Sequence, residues 1–408
     1  MKAVIVLGDG MSDHPVAKLG GKTPLMVANK PHIDRIAKMG VTGRFVTVPE
    51  GQPNGSAVAN LSVLGYDPAV CFSGRGVLEA ASMKVDLGAG DVAMRCNLLC
   101  IDSQGKIKNH SAGHISTEES VQLIRDLDEK LGGAQGDRPV KFHPGVSFRH
   151  LLVLPGEWAS KDFDCAPPHD HVGELEADLM PWALNDGAVE TVDRLIDVHK
   201  DARRILTDHP VNRDRVDRGL DPANCMWVWS PGRRPSMRTF QELHGVSGAV
   251  ISAVDLIQGL GVYAGMEKIL VEGATGLHDT NYEGKAQAAL EALEKYDFVY
   301  LHVEATDEAG HSRDLDLKIK CIEYLDNRIV RPLLAGIEER GLRVTVAVLP
   351  DHPTPVETGC HASDPVPVAI WRPDAEADSV QGYDEEQVKS GSLGLLEGEQ
   401  FIRKVLGD

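Results

Sequence analysis

Three apolar runs in the chain stop on acidic residues. AVIVLGD ends at Asp9, FVYLHVEATDEAGH carries Asp307 and His311 past its apolar part, and VTVAVLPDH ends on Asp351 and His352. Runs without polar alternation read as strands buried on both faces of a parallel sheet. In open α/β sheets, ligands bind beyond the carboxyl ends of the strands. The pattern therefore predicts that three strands, far apart in sequence, deliver acids and imidazoles to one sheet edge. A metal site is the chemistry that such an edge suits.

The remaining pattern alternates in type. A strand at 3–7 leads to a helix at about 31–39, with Pro31 in its first turn, and to a strand at about 43–48. Gly55-Ser56 opens an apolar stretch, AVANLSVLGY, that reads as a helix start. VAMRCNLLCID (92–102) and FRHLLVL (148–154) read as strands. Ser116 and Glu119 form a capping box ahead of VQLIRDLDEKL. Residues 156–186 look irregular, and a helix follows at about 189–205. Strands are expected near 225–229 and 268–272, and helices near 249–258, 285–296, 314–337 and 396–405. Alternating strands and helices in the last third predict parallel βαβ units.

The metal-type residues fall in the first 60 and the last 110 or so positions, with none at comparable spacing between them. The predicted architecture is α/β: a parallel-sheet core built from both chain ends (1–89 and 206–408), interrupted by a smaller inserted α/β domain (90–205).

Composition narrows the partners. With 408 residues, 25% charged and 42% hydrophobic, the chain is that of an ordinary globular protein. Its net charge of −19 disfavours nucleic acid and anionic membranes. An anionic substrate would need local positive charge, from a metal or a small basic cluster. The seven cysteines are odd in number and form no CxxC, which reads as reduced thiols. The apolar start is too short for a signal segment, and no run reaches membrane-spanning length. A cytoplasmic location is the expectation.

Each motif taken alone has a plain structural alternative. Gly8-Asp9-Gly10 at a strand end is, taken alone, more often an N-cap or a turn than a ligand loop. Asp307 and His311 share one face of a helical turn. Asp351-His352 lies between Pro350 and Pro353, which bend the chain, and His361 follows in a Thr358-Gly359-Cys360 loop. Ser56 is either an N-cap or a nucleophile lying in the positive end of a helix dipole. Together, Asp9, Asp307, His311, Asp351, His352 and His361 supply oxygen and nitrogen ligands for two divalent ions. With no cysteine among them, Mn²⁺ is the first expectation, with Mg²⁺ or Zn²⁺ as alternatives.

The order Asp, Ser, Asp-x3-His, Asp-His, His resembles the alkaline phosphatase superfamily. Within it the chain is similar to the cofactor-independent phosphoglycerate mutases, in particular their shorter archaeal-type group. LGDGMSD, GGKTPL, GSAVANLSVLGYDP, SGRGVLEAAS, GAVISAVDLIQGLG, DFVYLHVEATDEAGHSRD and LPDHPTPVETGCHASDPVP carry the resemblance, which spans nearly the whole chain. It implies an alkaline-phosphatase-like core and an isomerase that interconverts 3- and 2-phosphoglycerate without 2,3-bisphosphoglycerate. Ser56 matches the nucleophile that forms a phosphoserine. Asp307, His311 and His361 match one metal site; Asp9, Ser56, Asp351 and His352 match the other. The inserted domain would grip a small anionic substrate and close over the core.

KNHSAGHIS is similar to a G-V-H-S-H segment of the longer bacterial mutases, which assigns His110 to the substrate and to proton transfer. Archaeal-type members have an arginine-rich segment there, whereas this chain has His110, Ser111 and His114. Arg233 and Arg234, in a stretch similar to a bacterial arginine pair, are phosphate or carboxylate candidates; Arg149, Lys285 and Arg75 are further ones. The HSA-x-x-IS departure admits an alternative, a kinase of a small hydroxylated metabolite such as homoserine. A remoter alternative is a non-catalytic sensor of phosphate or metal.

Overall fold

A computed structural model describes residues 2–88, 90–132 and 139–407. In chain order the strands of the first half are β1 (Lys2–Gly8), β2 (Val41–Phe45), β3 (Val92–Ile101), β4 (Ile107–Asn109), β5 (Lys141–Val146), β6 (Arg149–Leu154), β7 (Phe163–Asp164) and β8 (Trp182–Ala183). Those of the second half are β9 (Cys225–Arg233), β10 (Gly248–Ile251), β11 (Glu267–Ile269), β12 (Phe298–Val303), β13 (Val344–Leu349), β14 (Val366–Trp371) and β15 (Gly394–Leu396). The chain divides into two compact units, Met1–Phe72 with Ser236–Asp408, and Ser73–Pro235.

The first unit is built on an eight-stranded sheet in the order β11-β10-β12-β1-β13-β14-β2-β15. The strands from β11 to β13 run parallel, while β14 is antiparallel to both β13 and β2. Every residue of β12 and β13 is buried, as their unbroken apolar runs require. β1 lies between them, with Leu7 opposite both His302 and Leu349, and Gly8 opposite Val303. That register sets where the acids emerge. Asp9 leaves the sheet level with Glu304 and Asp351, so three acids meet at one edge.

The second unit holds an antiparallel sheet in which β3 pairs with β4, β6 and β9, and β6 pairs with β5. Its core joins β3, β6 and β9 to the helices Thr117–Leu131 and Val189–Thr207. Both reciprocal bonds of the Ser116/Glu119 capping box are formed.

The structure corrects several expectations. The insert does not stop at 90–205. β9 lies along β3, with Trp227 opposite Asn97, and Arg75 N–H donates to Ser230 Oγ at 2.9 Å. Residues 73–89 and 206–235 therefore belong with the second unit. The helix expected at 249–258 is strand β10 followed by a helix at Asp255–Tyr263. The short apolar run GAVI is claimed by parallel pairing on both sides, which outweighs its ambiguous pattern. The helix expected at 396–405 begins only at Gln400, after β15.

The long helix expected at 314–337 runs Leu315–Tyr324, then a π-helical turn at Leu325–Val330, then Arg331–Glu339. That wider turn carries Asp326, which is fully buried. Its Oδ1 accepts from the N–H groups of His32 and Ile33 at 2.8 and 2.7 Å. These are first-turn donors of the helix Pro31–Met39, which has no side-chain cap of its own. Asp326 is thus a cap supplied from 293 residues away in sequence. Asp326→Ala is expected to lower the unfolding free energy by about 1–3 kcal/mol, the cost of orphaning buried donors. Urea denaturation checks this, with an unchanged midpoint as the contrary result.

Candidate active site

Asp9 is fully buried, and its Oδ2 lies 2.8 Å from His302 Nε2. Its other oxygen, Oδ1, has no hydrogen-bond partner and faces His352 Nε2 at 3.6 Å. Asp351 Oδ1 accepts from the N–H groups of Gly10 and His352 at 3.1 and 2.9 Å, and its Oδ2 accepts from Asn60 Nδ2 at 2.9 Å. His352 Nε2 reaches Ser56 Oγ at 3.3 Å. Ser56 is the first residue of the helix Ser56–Val63, entered through Gly55 at φ +148°. Asn60, one turn on, also donates to the Ser56 carbonyl and accepts from the Tyr300 hydroxyl. The serine's helix is therefore fastened to the middle of β12 and to a residue just past β13.

A second group forms beside the first. Asp307 Oδ2 lies 3.1 Å from His311 Nε2, and Asp307 Oδ1 lies 3.5 Å from His361 Nε2. The two imidazole Nε2 atoms approach each other at 2.9 Å. His311 Nδ1 is oriented by the Gly359 carbonyl at 2.8 Å. The His352 and His361 rings lie 4.0 Å apart, so the groups are neighbours.

Gly10 makes the close approach possible. Its φ is +58°, and a Cβ there would stand 2.5 Å from both Asp307 Oδ1 and Thr354 Oγ1. The Gly8-Asp9-Gly10 motif is a matter of space as well as of turning.

Three triads at this edge have ligand atoms within 4.8 Å of one another: Asp307, His311 and His361; Asp9, Asp351 and His352; and Asp9, His302 and Glu304. The pattern of strand ends pointed to Asp9, Asp307, His311, Asp351 and His352, while His361 came from its loop and the grouping into two sets from the family resemblance. That pattern missed His302 and Glu304, which lie within and just past β12; their signal was polar residues interrupting FVYLHVE.

The electrostatics are those of crowded, buried acids. Burial pushes the Asp9 carboxyl well above its usual range, and Asp351, Glu304 and Asp307 push it further. Burial and Asp307 hold Glu304 up at about 8. Burial works the same way on Asp307, but hydrogen bonds from His311 and His361 reverse it and hold that carboxyl well below its usual range. Crowded dry acids, an orphaned Asp9 oxygen and converging imidazoles fit a bound divalent cation. The hard oxygen and nitrogen donors suit Mn²⁺, Mg²⁺ or Zn²⁺.

Lys318 holds the loops that carry these groups. Fully buried, its Nζ donates to the carbonyls of Ser12 and Thr354 at 3.1 and 2.8 Å, and to Asp13 Oδ2 at 2.8 Å. Asp13 Oδ2 also accepts from Val356 N–H. The loops after β1 and β13 thus share one ammonium.

The other candidates lie elsewhere. Lys285 is buried in the first unit, with its Nζ on the His302 carbonyl at 3.0 Å. It braces β12 and is not open to a substrate, which corrects its assignment as a substrate residue. His110 and His114 set their rings edge-on to Phe148, over which Arg149 places its guanidinium at 4.8 Å. Burial, His114 and Arg149 lower the His110 pKa. Arg233 Nη2 donates to the Ala159 carbonyl at 2.9 Å, while Arg234 is exposed. Arg75 and Arg95 face the Trp229 ring at 5.7 and 4.5 Å. All of these except Lys285 belong to the second unit.

No helix among the described residues is long and apolar enough to cross a membrane. Residues 37–212 match the family model described as 2,3-bisphosphoglycerate-independent phosphoglycerate mutase. The chain is 51% identical over 403 residues to the protein of that name from Methanosarcina acetivorans, covering 98% of each. It is 47% identical over 412 residues to a probable 2,3-bisphosphoglycerate-independent phosphoglycerate mutase from Geobacter sulfurreducens, covering 100% of each. Among solved structures it is similar to a Pyrococcus horikoshii protein, with a TM-score of 0.82, 29% identity and coverage of 99% of this chain and 96% of that one. It is also similar to the cofactor-independent phosphoglycerate mutase of Thermoplasma acidophilum, with a TM-score of 0.67, 27% identity and coverage of 100% and 99%.

Protons and cations compete for Asp9 and His311. Burial raises the Asp9 pKa, and the hydrogen bond to Asp307 raises that of His311 to about 9, so affinity for Mn²⁺ is expected to rise from pH 6 to pH 8 as these groups lose their protons. Calorimetric titration at both ends checks the sign, and a flat profile speaks against a site on these residues. Lys318→Met strands the buried Asp13 charge. It is expected to cost about 3–5 kcal/mol of stability and to weaken Mn²⁺ binding, read by urea denaturation and by the same titration.

Proposed function

The chain belongs to the 2,3-bisphosphoglycerate-independent phosphoglycerate mutase family, and from that premise we propose that it interconverts 3-phosphoglycerate and 2-phosphoglycerate through a phosphoserine at Ser56. The observation that carries this reading is the Ser56 hydroxyl, 3.3 Å from His352 at an edge lined by buried acids. In this role the protein is an isomerase that needs no bisphosphate cofactor. The relatives favour the mutase over a homoserine-type kinase or a sensor.

Asp307, His311 and His361 are the proposed ligands of one divalent ion, and Asp9, Ser56, Asp351 and His352 those of a second; Mn²⁺ is the proposed occupant. When bound, the ions neutralise phosphoryl oxygens and make the serine hydroxyl acidic. The protein's own part is positional. His352 and the Asn60 link aim Oγ, and the first turn of Ser56–Val63 turns its N–H groups and dipole toward an anionic phosphoryl group. Oγ attacks phosphorus, the Oγ–P bond forms, and the bond to the 3-oxygen of glycerate breaks. Glycerate then turns, and its 2-hydroxyl attacks phosphoserine, restoring Ser56. His110 takes and returns the proton of the attacking or departing hydroxyl; its lowered pKa leaves it neutral and ready to accept. Arg149, Arg233 and Arg234 are the proposed contacts for carboxylate and phosphate. Water must be kept from phosphoserine, or the enzyme becomes a phosphatase. A cytoplasmic place suits such a substrate and the seven free thiols.

Ser56→Ala is expected to lower mutase turnover by on the order of 10³-fold or more. Acid quench of the native enzyme with substrate should give a phosphorylated Ser56 peptide by mass spectrometry. Near-normal turnover in a folded, Mn²⁺-loaded Ser56→Ala protein would sink the proposal. Robust ATP-dependent phosphorylation of homoserine, without phosphoglycerate conversion, would replace it with the kinase.

A further inference from the structure

The second unit holds a cluster that mutase chemistry does not use. Glu176 opens the single turn Glu176–Leu179, His199 lies within the helix Val189–Thr207, and Cys225 is the first residue of β9. One ligand atom from each lies within 4.8 Å of the other two. His199 Nε2 is 2.6 Å from Glu176 Oε1. Cys225 Sγ is 3.6 Å from that same oxygen and 3.9 Å from that same nitrogen. Cys225 is fully buried, while the Glu176 side chain keeps 14% of its surface open to solvent.

A nucleophilic relay needs the thiol on one ring nitrogen and the carboxylate on the other. Here both face Nε2, so the trio is not a Cys-His-Glu relay. An ion pair among His199, Glu176 and Arg203 accounts for the first two residues only. A thiol is a weak donor and acceptor, and it adds little to such a pair. Three chemically different ligand atoms turned toward one point is the arrangement that a coordinated ion requires. Outer contacts hold them there: Arg203 Nη1 donates to Glu176 Oε2, and the His199 ring stands edge-on to Trp227 at 5.8 Å.

We propose that Glu176, His199 and Cys225 bind one thiophilic divalent cation of the Zn²⁺ class, with the fourth position open to water. Ligand atoms around a tetrahedral Zn²⁺, with bonds of about 2.0–2.3 Å, stand roughly 3.3–3.8 Å apart. Both sulfur distances are already close to this, and the His199–Glu176 pair opens by under about 1 Å. On binding, the thiol gives its proton to solvent, and the proton that His199 Nε2 shares with Glu176 Oε1 leaves that nitrogen, for solvent or for Nδ1, so that Nε2 can ligate. The sulfur ligand separates this site from the oxygen and nitrogen triads of the first unit. Its role is structural: the ion ties a turn, a helix and the start of β9 into one unit.

Co²⁺ added to the metal-stripped full chain is the test, because only a thiolate ligand gives a near-ultraviolet charge-transfer band with it. Cys360 is exposed and adjoins His361, so Cys360→Ser is the background. At saturation the band is expected to have the intensity of one Co²⁺–thiolate centre per chain, to bleach on adding Zn²⁺, and to vanish in Cys225→Ser. In Glu176→Gln, Co²⁺ affinity should fall by about tenfold or more. A folded Cys360→Ser chain with no band overturns the proposal without any change inside the cluster. A band that survives Cys225→Ser, in protein with native circular dichroism, overturns it as well.

Discussion

The structure depends on a concentration of negative charge where water is scarce. Asp9, Glu304, Asp307 and Asp351 collect at the carboxyl edge of β12, β1 and β13, and all but Glu304 are buried. Separated carboxylates at that depth would take up protons. Much of the surrounding architecture serves to hold them close: the matched register of three parallel strands, the absence of a side chain at Gly10, and the backbone N–H groups that Asp351 accepts. Such an arrangement favours compensating positive charge, and the imidazoles of His311, His352 and His361 converge beside it.

The edge is also tied to the core behind it. Lys318 and Lys285 are both buried lysines, and neither faces a ligand. Each donates to main-chain carbonyls, the first to the loops after β1 and β13 and the second to the end of β12. Burial draws the Lys285 pKa down to about 8, a cost that only firm hydrogen bonding offsets. Asn60 does the same for the serine's helix. These residues transmit the fold's rigidity to an edge whose acids and imidazoles come from opposite ends of the chain.

The edge was legible in the sequence because three apolar runs, far apart in the chain, each lead into acid, although any one of them alone could be a turn. Ser56 and His361 were legible only through their flanks, since a helix-start serine and a loop histidine each have common structural roles. Lys285 misled because a lysine near family motifs looks like a phosphate contact, and nothing local announces burial. β10 and β14 were obscured in different ways. GAVI is too short to separate strand from helix, and VPVAIW carries Pro367, which β14 tolerates while lying antiparallel to β2. The boundary near 206 was missed because β9 pairs with β3 across more than a hundred residues. Glu176, His199 and Cys225 are 23 and 26 residues apart in succession, with no spacing that a helix or hairpin would repeat.

The shared ammonium of Lys318 bears on what can move. Loops around active sites are usually the softest parts of a protein, yet here the two loops after β1 and β13 are pinned to one buried hub. A phosphoryl group parked on Ser56 would therefore rest on a fixed anvil. In the proposed chemistry the travelling piece is the glycerate, which must swap one hydroxyl for the other while the apparatus beneath it stands still.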